Sequence, residues 1–303
     1  MTLASPALPT LDNGYASHHR DSDDRLKDED NLAFLRDQPA DVRAVWKERC
    51  RWMREVDRLS EADRWVLGQF LRLWRRSEYL RCVPDPLEPH AEMIRSIGRA
   101  WAPASMFERD RSLEAWSCWL DALSADYGRS LVPVTLEQHD RMVLEVGGFF
   151  RLFPFLTPEH WESIGAFGAL DQAWNNVRDI AEDAAAGRCY FPEEELGRFR
   201  LNRYSVIGGT ARRYRSWADF MGFWLGEYLP RLADRARPFL SATDLHPSVE
   251  ALRASCLRRY ARVERVLRGL EFDYRAFGEA YWAEVRRDVA ADALGGGAKE
   301  TEA

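Results

Sequence analysis

The chain has 303 residues, 43 of them basic and 49 acidic, for a formal net charge of −6. That length can build one domain of roughly 260 ordered residues around a substantial core, and the acidic balance gives no electrostatic reason to expect nucleic acid as a partner. No run of about 18 apolar residues is present, and the start lacks a basic segment followed by an apolar one, so a cytoplasmic protein without a transmembrane segment is expected.

In chain order, residues 1–30 carry Pro, Gly, Ser, Asp and His without apolar periodicity and are expected to form a disordered tail. Helical spacing of apolar residues then recurs over 39–58, 61–82, 88–101, 111–126, 135–150, 158–186, 216–236 and 246–288, with a break expected near Gly269. Pro84, Pro86, Pro103, Pro133, Pro154, Pro192, Pro230 and Pro247 fall mainly at the joints, where a missing N–H does least harm. Residues 291–303 end in a Gly-rich polar run, a second expected tail. No strand-like alternation is long enough to build a sheet, and no repeat of fixed period occurs. The pattern predicts an all-α, single-domain helical bundle over residues 31–290.

Cys50, Cys82, Cys118, Cys189 and Cys256 are odd in number and scattered, which suggests neither a disulfide framework nor a zinc site. Twelve tryptophans read first as core, although such rings also line pockets for flat or isoprenoid ligands and can face a carbocation. His139 and His160 fall at expected helix ends, where capping or exposure is the simple reading.

The chemistry is concentrated in residues 172–196. Asp179 and Asp183 lie four apart, so a helix stacks both carboxylates on one face, where they can share a hard divalent cation. Asn175 sits one turn earlier and Arg178 lies beside it. A bare pair at this spacing is usually a solvated surface feature; the flanking residues argue otherwise. Gln172-x-x-Asn175-x-x-Arg178-Asp179 precedes the second carboxylate, and Asp183-x-x-x-Gly187-Arg188-x-Tyr190-x-Pro192, then Glu195-Leu196, follow the first.

That string resembles the second aspartate-rich motif of the squalene and phytoene synthases, an all-helical family of trans-prenyltransferases. The resemblance implies a bundle of the isoprenoid synthase type with its active-site cavity in the bundle core. It implies Mg²⁺ on Asp179, Asp183 and Asn175, and an allylic prenyl diphosphate held with help from Gln172, Asn175, Arg178, Arg188 and Tyr190. The competing accounts are a helix-packing hydrogen bond for Gln172, ordinary ion pairs to Glu182 or Glu194 for Arg178 and Arg188, and plain packing for Tyr190.

The family's first aspartate-rich motif is altered. Leu59-Ser60-Glu61-Ala62-Asp63-Arg64 begins the corresponding stretch and Arg75 falls where the family has its arginine, but the three aspartate positions read Glu78, Tyr79 and Cys82, with Arg81 beside them. A Mg²⁺ site stripped of two carboxylates out of three loses several kcal/mol of cation binding. Arg75 remains a candidate for the diphosphate, as does Arg212 in the run Arg212-Arg213-Tyr214-Arg215 after Gly208-Gly209. In an ungapped alignment the tyrosine of the family's glycine-bearing helix is replaced by Asp140, and Glu145 enters an otherwise apolar segment. Glu145 and Glu78 are candidate general bases.

One intact motif suits the ionisation of one diphosphate. The expectation is therefore a Mg²⁺-dependent aromatic prenyltransferase of secondary metabolism, similar to the squalene-synthase-like enzymes that prenylate carbazole or indole acceptors. It would move one allylic group, dimethylallyl in preference to farnesyl, to an electron-rich aromatic carbon. The alternative is head-to-head synthesis of the squalene or phytoene type. A third reading is a non-catalytic prenyl-lipid-binding member.

Overall fold

The computed structural model describes residues 22–62, 64–80, 83–102, 106–129 and 133–296. In order the helices are α1 (Ser22–Leu32), α2 (Ala40–Ala62), α3 (Arg64–Leu80), α4 (Ala91–Ala100), α5 (Met106–Arg129), α6 (Leu136–Gly147), α7 (Trp161–Arg178), α8 (Ile180–Ala185), α9 (Glu193–Arg198), α10 (Arg203–Ile207), α11 (Arg215–Phe223), α12 (Leu229–Arg235), α13 (Arg237–Leu240), α14 (Pro247–Gly269) and α15 (Tyr274–Gly296). Among the described residues no strand occurs, as the periodicity predicts. The long helices fall close to the expected segments, and the break near Gly269 separates α14 from α15.

Local sequence sets many of the ends. Thr135 caps α6 by accepting from the Gln138 amide at 3.2 Å, Asn202 and Ser205 form a capping box at α10, and Pro247 opens α14, where no N–H is needed. A single π-helical turn, Trp224–Tyr228, joins α11 to α12.

Helix α7 is the centre of the bundle and packs against α6, α12, α13 and α14. It is buried nearly all round, with Ile164, Phe167, Leu170, Ala173, Trp174 and Val177 among its covered residues. Its approach to α6 is set by glycine: a Cβ at Gly168 would lie 2.0 Å from the Gly147 carbonyl oxygen, and one at Gly147 would lie 2.2 Å from that of Gly168. The tryptophans serve mainly as core, Trp46, Trp116, Trp217 and Trp224 being fully covered. Truncating one of these to alanine is worth about 3–5 kcal/mol.

Three expectations are corrected here. Residues 22–30 belong to α1, not to a disordered tail, because its polar residues find charged partners on the body. Asp28 lies 3.6 Å from Arg54 and 3.5 Å from Arg58, Asp30 accepts from Arg262 at 3.0 Å, and Asn31 accepts from Arg259 at 2.7 Å. Helix α15 runs into the expected second tail as far as Gly296. The two histidines at helix ends are both buried and neither caps through its side chain. Cys50, Cys118, Cys189 and Cys256 are free thiols, and Cys82 lies outside the described residues.

Candidate active site

A helix covered on almost every side has no room for an idle polar group, so each one on α7 must find a partner or serve a ligand. Its polar side chains form two stripes. Asp171, Asn175 and Asp179 follow each other at intervals of four; Gln172, Asn176 and Asp183 form the neighbouring line.

In the first stripe the Asp171 carboxylate accepts from Arg259 Nη2 at 2.5 Å and from the Tyr260 hydroxyl at 2.8 Å, both on its Oδ1. Its other oxygen accepts from Asn175 Nδ2 at 3.1 Å. At Asp179 the backbone leaves helical geometry for one residue (φ −97°, ψ 10°), which separates α7 from α8. Its carboxylate is held by the neighbouring Arg178, whose Nε and Nη2 donate at 2.8 and 2.7 Å, and Lys27 Nζ of α1 lies 3.9 Å away. Lys27 also pairs with Glu182 at 2.5 Å. Burial would raise the Asp179 carboxyl, but the Arg178 charge and hydrogen bonds, helped by Lys27, hold it below the usual carboxylate range.

The second stripe is less balanced. Gln172 Nε2 donates to Asn176 Oδ1 at 2.9 Å, while Asn176 Nδ2 is buried without an acceptor among the described residues. Asp183 is only 13 % exposed and pairs with Arg188 at 3.2 Å, a side chain half in solvent. Burial first, and the Asp179 charge second, push its carboxyl up to about 7. Gly187, with φ +74°, makes that pair possible. It ends α8 in a left-handed turn in which the Arg188 amide donates to the Asp183 carbonyl at 2.7 Å and the Gly187 amide to Ala184 at 3.0 Å, folding Arg188 back over Asp183. Asn176, Asp183, Arg188, Tyr190 and Phe191 line one recess.

These donors suit a hard divalent cation. Asp179 and Asp183 offer carboxylate oxygens and Asn175 an amide oxygen, while the reluctance of Asp183 to ionise marks a pair whose repulsion a cation would relieve. No preassembled group of three or more His, Cys, Asp or Glu occurs among the described residues. Two carboxylates and an amide match the habit of Mg²⁺, which keeps several waters.

The other expected residues sit apart. Arg75 pairs with Asp121 of α5 at 2.7 Å, both more than half exposed. Arg212 pairs with Asp273. Glu145 is exposed on α6, and the Glu78 side chain lies outside the described residues. Asp140 faces α12, accepting from Arg231, Arg235 and Tyr228. Arg178 pairs with Asp179 and Arg188 with Asp183. Sequence reading missed Asp171, Asn176 and Lys27. The spacing Asp171-x-x-x-Asn175-x-x-x-Asp179 carries a signal for the first; nothing local marks Lys27.

The bundle has the fold of known enzymes. A squalene synthase from Alicyclobacillus acidocaldarius superposes with a TM-score of 0.60 over 84 % of this chain and 90 % of that one, at 18 % identity. A dehydrosqualene synthase gives 0.57 over 88 % and 98 %, at 12 % identity. The chain is thus an all-helical protein of the isoprenoid synthase type. Residues 141–286 match the squalene/phytoene synthase family and are squalene/phytoene synthase-like, a stretch that includes both stripes of α7. A 15-cis-phytoene synthase from Synechococcus elongatus is 32 % identical over 91 residues, 30 % of this chain and 26 % of the relative. The chain thus matches about a quarter of that curated relative's length.

Proposed function

We propose that this protein ionises an allylic prenyl diphosphate at the α7–α8 junction and passes the resulting allyl cation to a second substrate. The observation that carries this reading is the placement of two carboxylates, Asp179 and Asp183, at the α7–α8 junction, with Asp183 largely buried in a recess beside Asn176, Arg188 and Tyr190. Asp179, Asp183 and Asn175 would hold Mg²⁺, which would supply charge to offset that of the departing diphosphate. Arg178 holds Asp179 in place, and Arg188 and Lys27 stand at the edge of the carboxylates, where their N–H groups can turn to phosphate oxygens.

The phytoene synthase among the relatives favours a second prenyl diphosphate as the acceptor, and hence head-to-head condensation. A second reading, transfer to an electron-rich aromatic carbon, is supported by one observation: the first-motif positions read Glu78, Tyr79 and Cys82, which leaves few ligands for a second metal-bound diphosphate. Incubation with dimethylallyl, geranyl and farnesyl diphosphate and Mg²⁺, alone and with carbazole, indole and phenol, separates them. A C30 or C40 hydrocarbon formed without acceptor supports condensation. A prenylated ring supports aromatic transfer, and intact diphosphate in every mixture overturns both.

A further inference from the structure

We infer that Asp171 is a positioning residue, which touches neither cation nor substrate but turns the Asn175 amide so that its oxygen is offered to the cation site. The inference rests on the cation-binding role given to Asp179 and Asp183 above. A carboxamide can present oxygen or nitrogen on either side, and only its partner decides which. The partner here is a carboxylate, which in its ionised form only accepts. Asp171 Oδ2 takes the Asn175 Nδ2 hydrogen at 3.1 Å, so Oδ1 of the amide must point away from Asp171. A flipped amide would set oxygen against oxygen at Asp171 and aim two N–H donors at a cation.

Asp171 is itself held in place by two further donors. Arg259 Nη2 and the Tyr260 hydroxyl both donate to its Oδ1, all three residues are at most 8 % exposed, and Trp174 stacks on Tyr260 with ring centroids 5.4 Å apart and planes 7° from parallel. Arg259 Nη1 reaches on to Asn31 of α1, so the helix that carries Lys27 is fixed by the same guanidinium. A buried ion pair of this kind is a weak source of stability, since apolar residues of similar volume often do as well. What an apolar pair cannot do is choose the direction of a neighbouring amide.

The test is Mn²⁺ affinity of the full chain, read by electron paramagnetic resonance alongside thermal unfolding. Asp183→Asn should abolish binding, which establishes the site. Asp171→Asn should weaken it about tenfold, equivalent to about 1.4 kcal/mol, and should add almost nothing in an Asn175→Ala background, because the two act as one unit. Asp171→Leu/Arg259→Met, which removes the charges together, should unfold within a few degrees of the parent yet bind Mn²⁺ as weakly as Asp171→Asn. Unchanged affinity in Asp171→Asn and in the double variant, or a full additional loss on top of Asn175→Ala, overturns the positioning role while the cation site stands. Mn²⁺ binding indifferent to Asp183→Asn overturns the cation site, and the positioning role with it.

Discussion

Two polar clusters are buried in this bundle, and they are balanced in different ways. At the start of α6, Asp140 meets Arg231 at 3.0 Å and Arg235 at 2.8 Å, and the Tyr228 hydroxyl donates to it at 2.9 Å. Tyr228 has a single proton, so His139 Nδ1, 2.5 Å from that oxygen, must be the donor in their contact. Burial presses His139 down to about 3, which keeps it neutral at any physiological pH. The one carboxylate is answered twice over, while His139 Nε2 is buried without a partner among the described residues. At the α7–α8 junction Asp179, Glu182 and Asp183 are matched one for one by Arg178, Lys27 and Arg188, but Asp183 is largely buried and its carboxyl is pushed up. Buried polarity alone does not mark a site; a buried carboxyl beside a second carboxylate does.

The contrast predicts opposite mutational behaviour. The largest effect should be on turnover: Asp183→Asn is expected to lower prenyl diphosphate consumption by about 10³-fold, whereas Asp140→Asn should leave it within about twofold. A steady-state assay with farnesyl diphosphate decides this, and equal losses in both variants would erase the distinction. Next comes the α6–α7 contact. Gly168→Ala must push backbone away from Gly147 and should destabilise by about 3 kcal/mol in urea.

Stability should then separate the clusters by sign. Asp140→Asn is expected to cost about 2 kcal/mol through two weakened arginine pairs. Asp183→Asn should instead stabilise the metal-free protein by about 2 kcal/mol at pH 8. Because the folded-state carboxyl is raised to about 7, its contribution is complete below the unfolded value near 3.8 and disappears as pH rises through 7. Urea unfolding of the metal-free parent should show stability falling between pH 5 and pH 8, and the Asn variant should lack that component. The smallest effect concerns Lys27, whose ammonium competes for Asp179 and Glu182: Lys27→Met should tighten Mn²⁺ about threefold, and weaker binding would assign the ammonium to the anion instead.

Much of the fold was legible because helix formation here is governed by local apolar spacing, and α2 to α7, α14 and α15 fall near the expected segments. The carboxylate pair stood out by its spacing, although the chain leaves helical geometry at Asp179 and the two side chains fall in separate stripes. What the pattern could not show depends on partners distant in sequence. Helix α1 is held by Arg54, Arg58, Arg259 and Arg262, more than twenty residues away at the least, and composition alone makes it look like a tail. The bidentate pairing of Arg178 with the adjacent Asp179 was not legible because it needs the interruption between α7 and α8. Asp171 drew no notice because a carboxylate one turn before Asn175 becomes informative only once Arg259 and Tyr260 are beside it.

The scarcity of lysine gives Lys27 a practical use. The chain has three lysines, at 27, 47 and 299, and Lys27 is only 13 % exposed in its place against Asp179 and Glu182. Amine-acylating reagents should therefore modify Lys47 at the rate of an open side chain and Lys27 only as fast as α1 swings clear of the carboxylates. The ratio of the two rates, followed by mass spectrometry, is a clock for the opening of the site that needs neither a label nor a mutation.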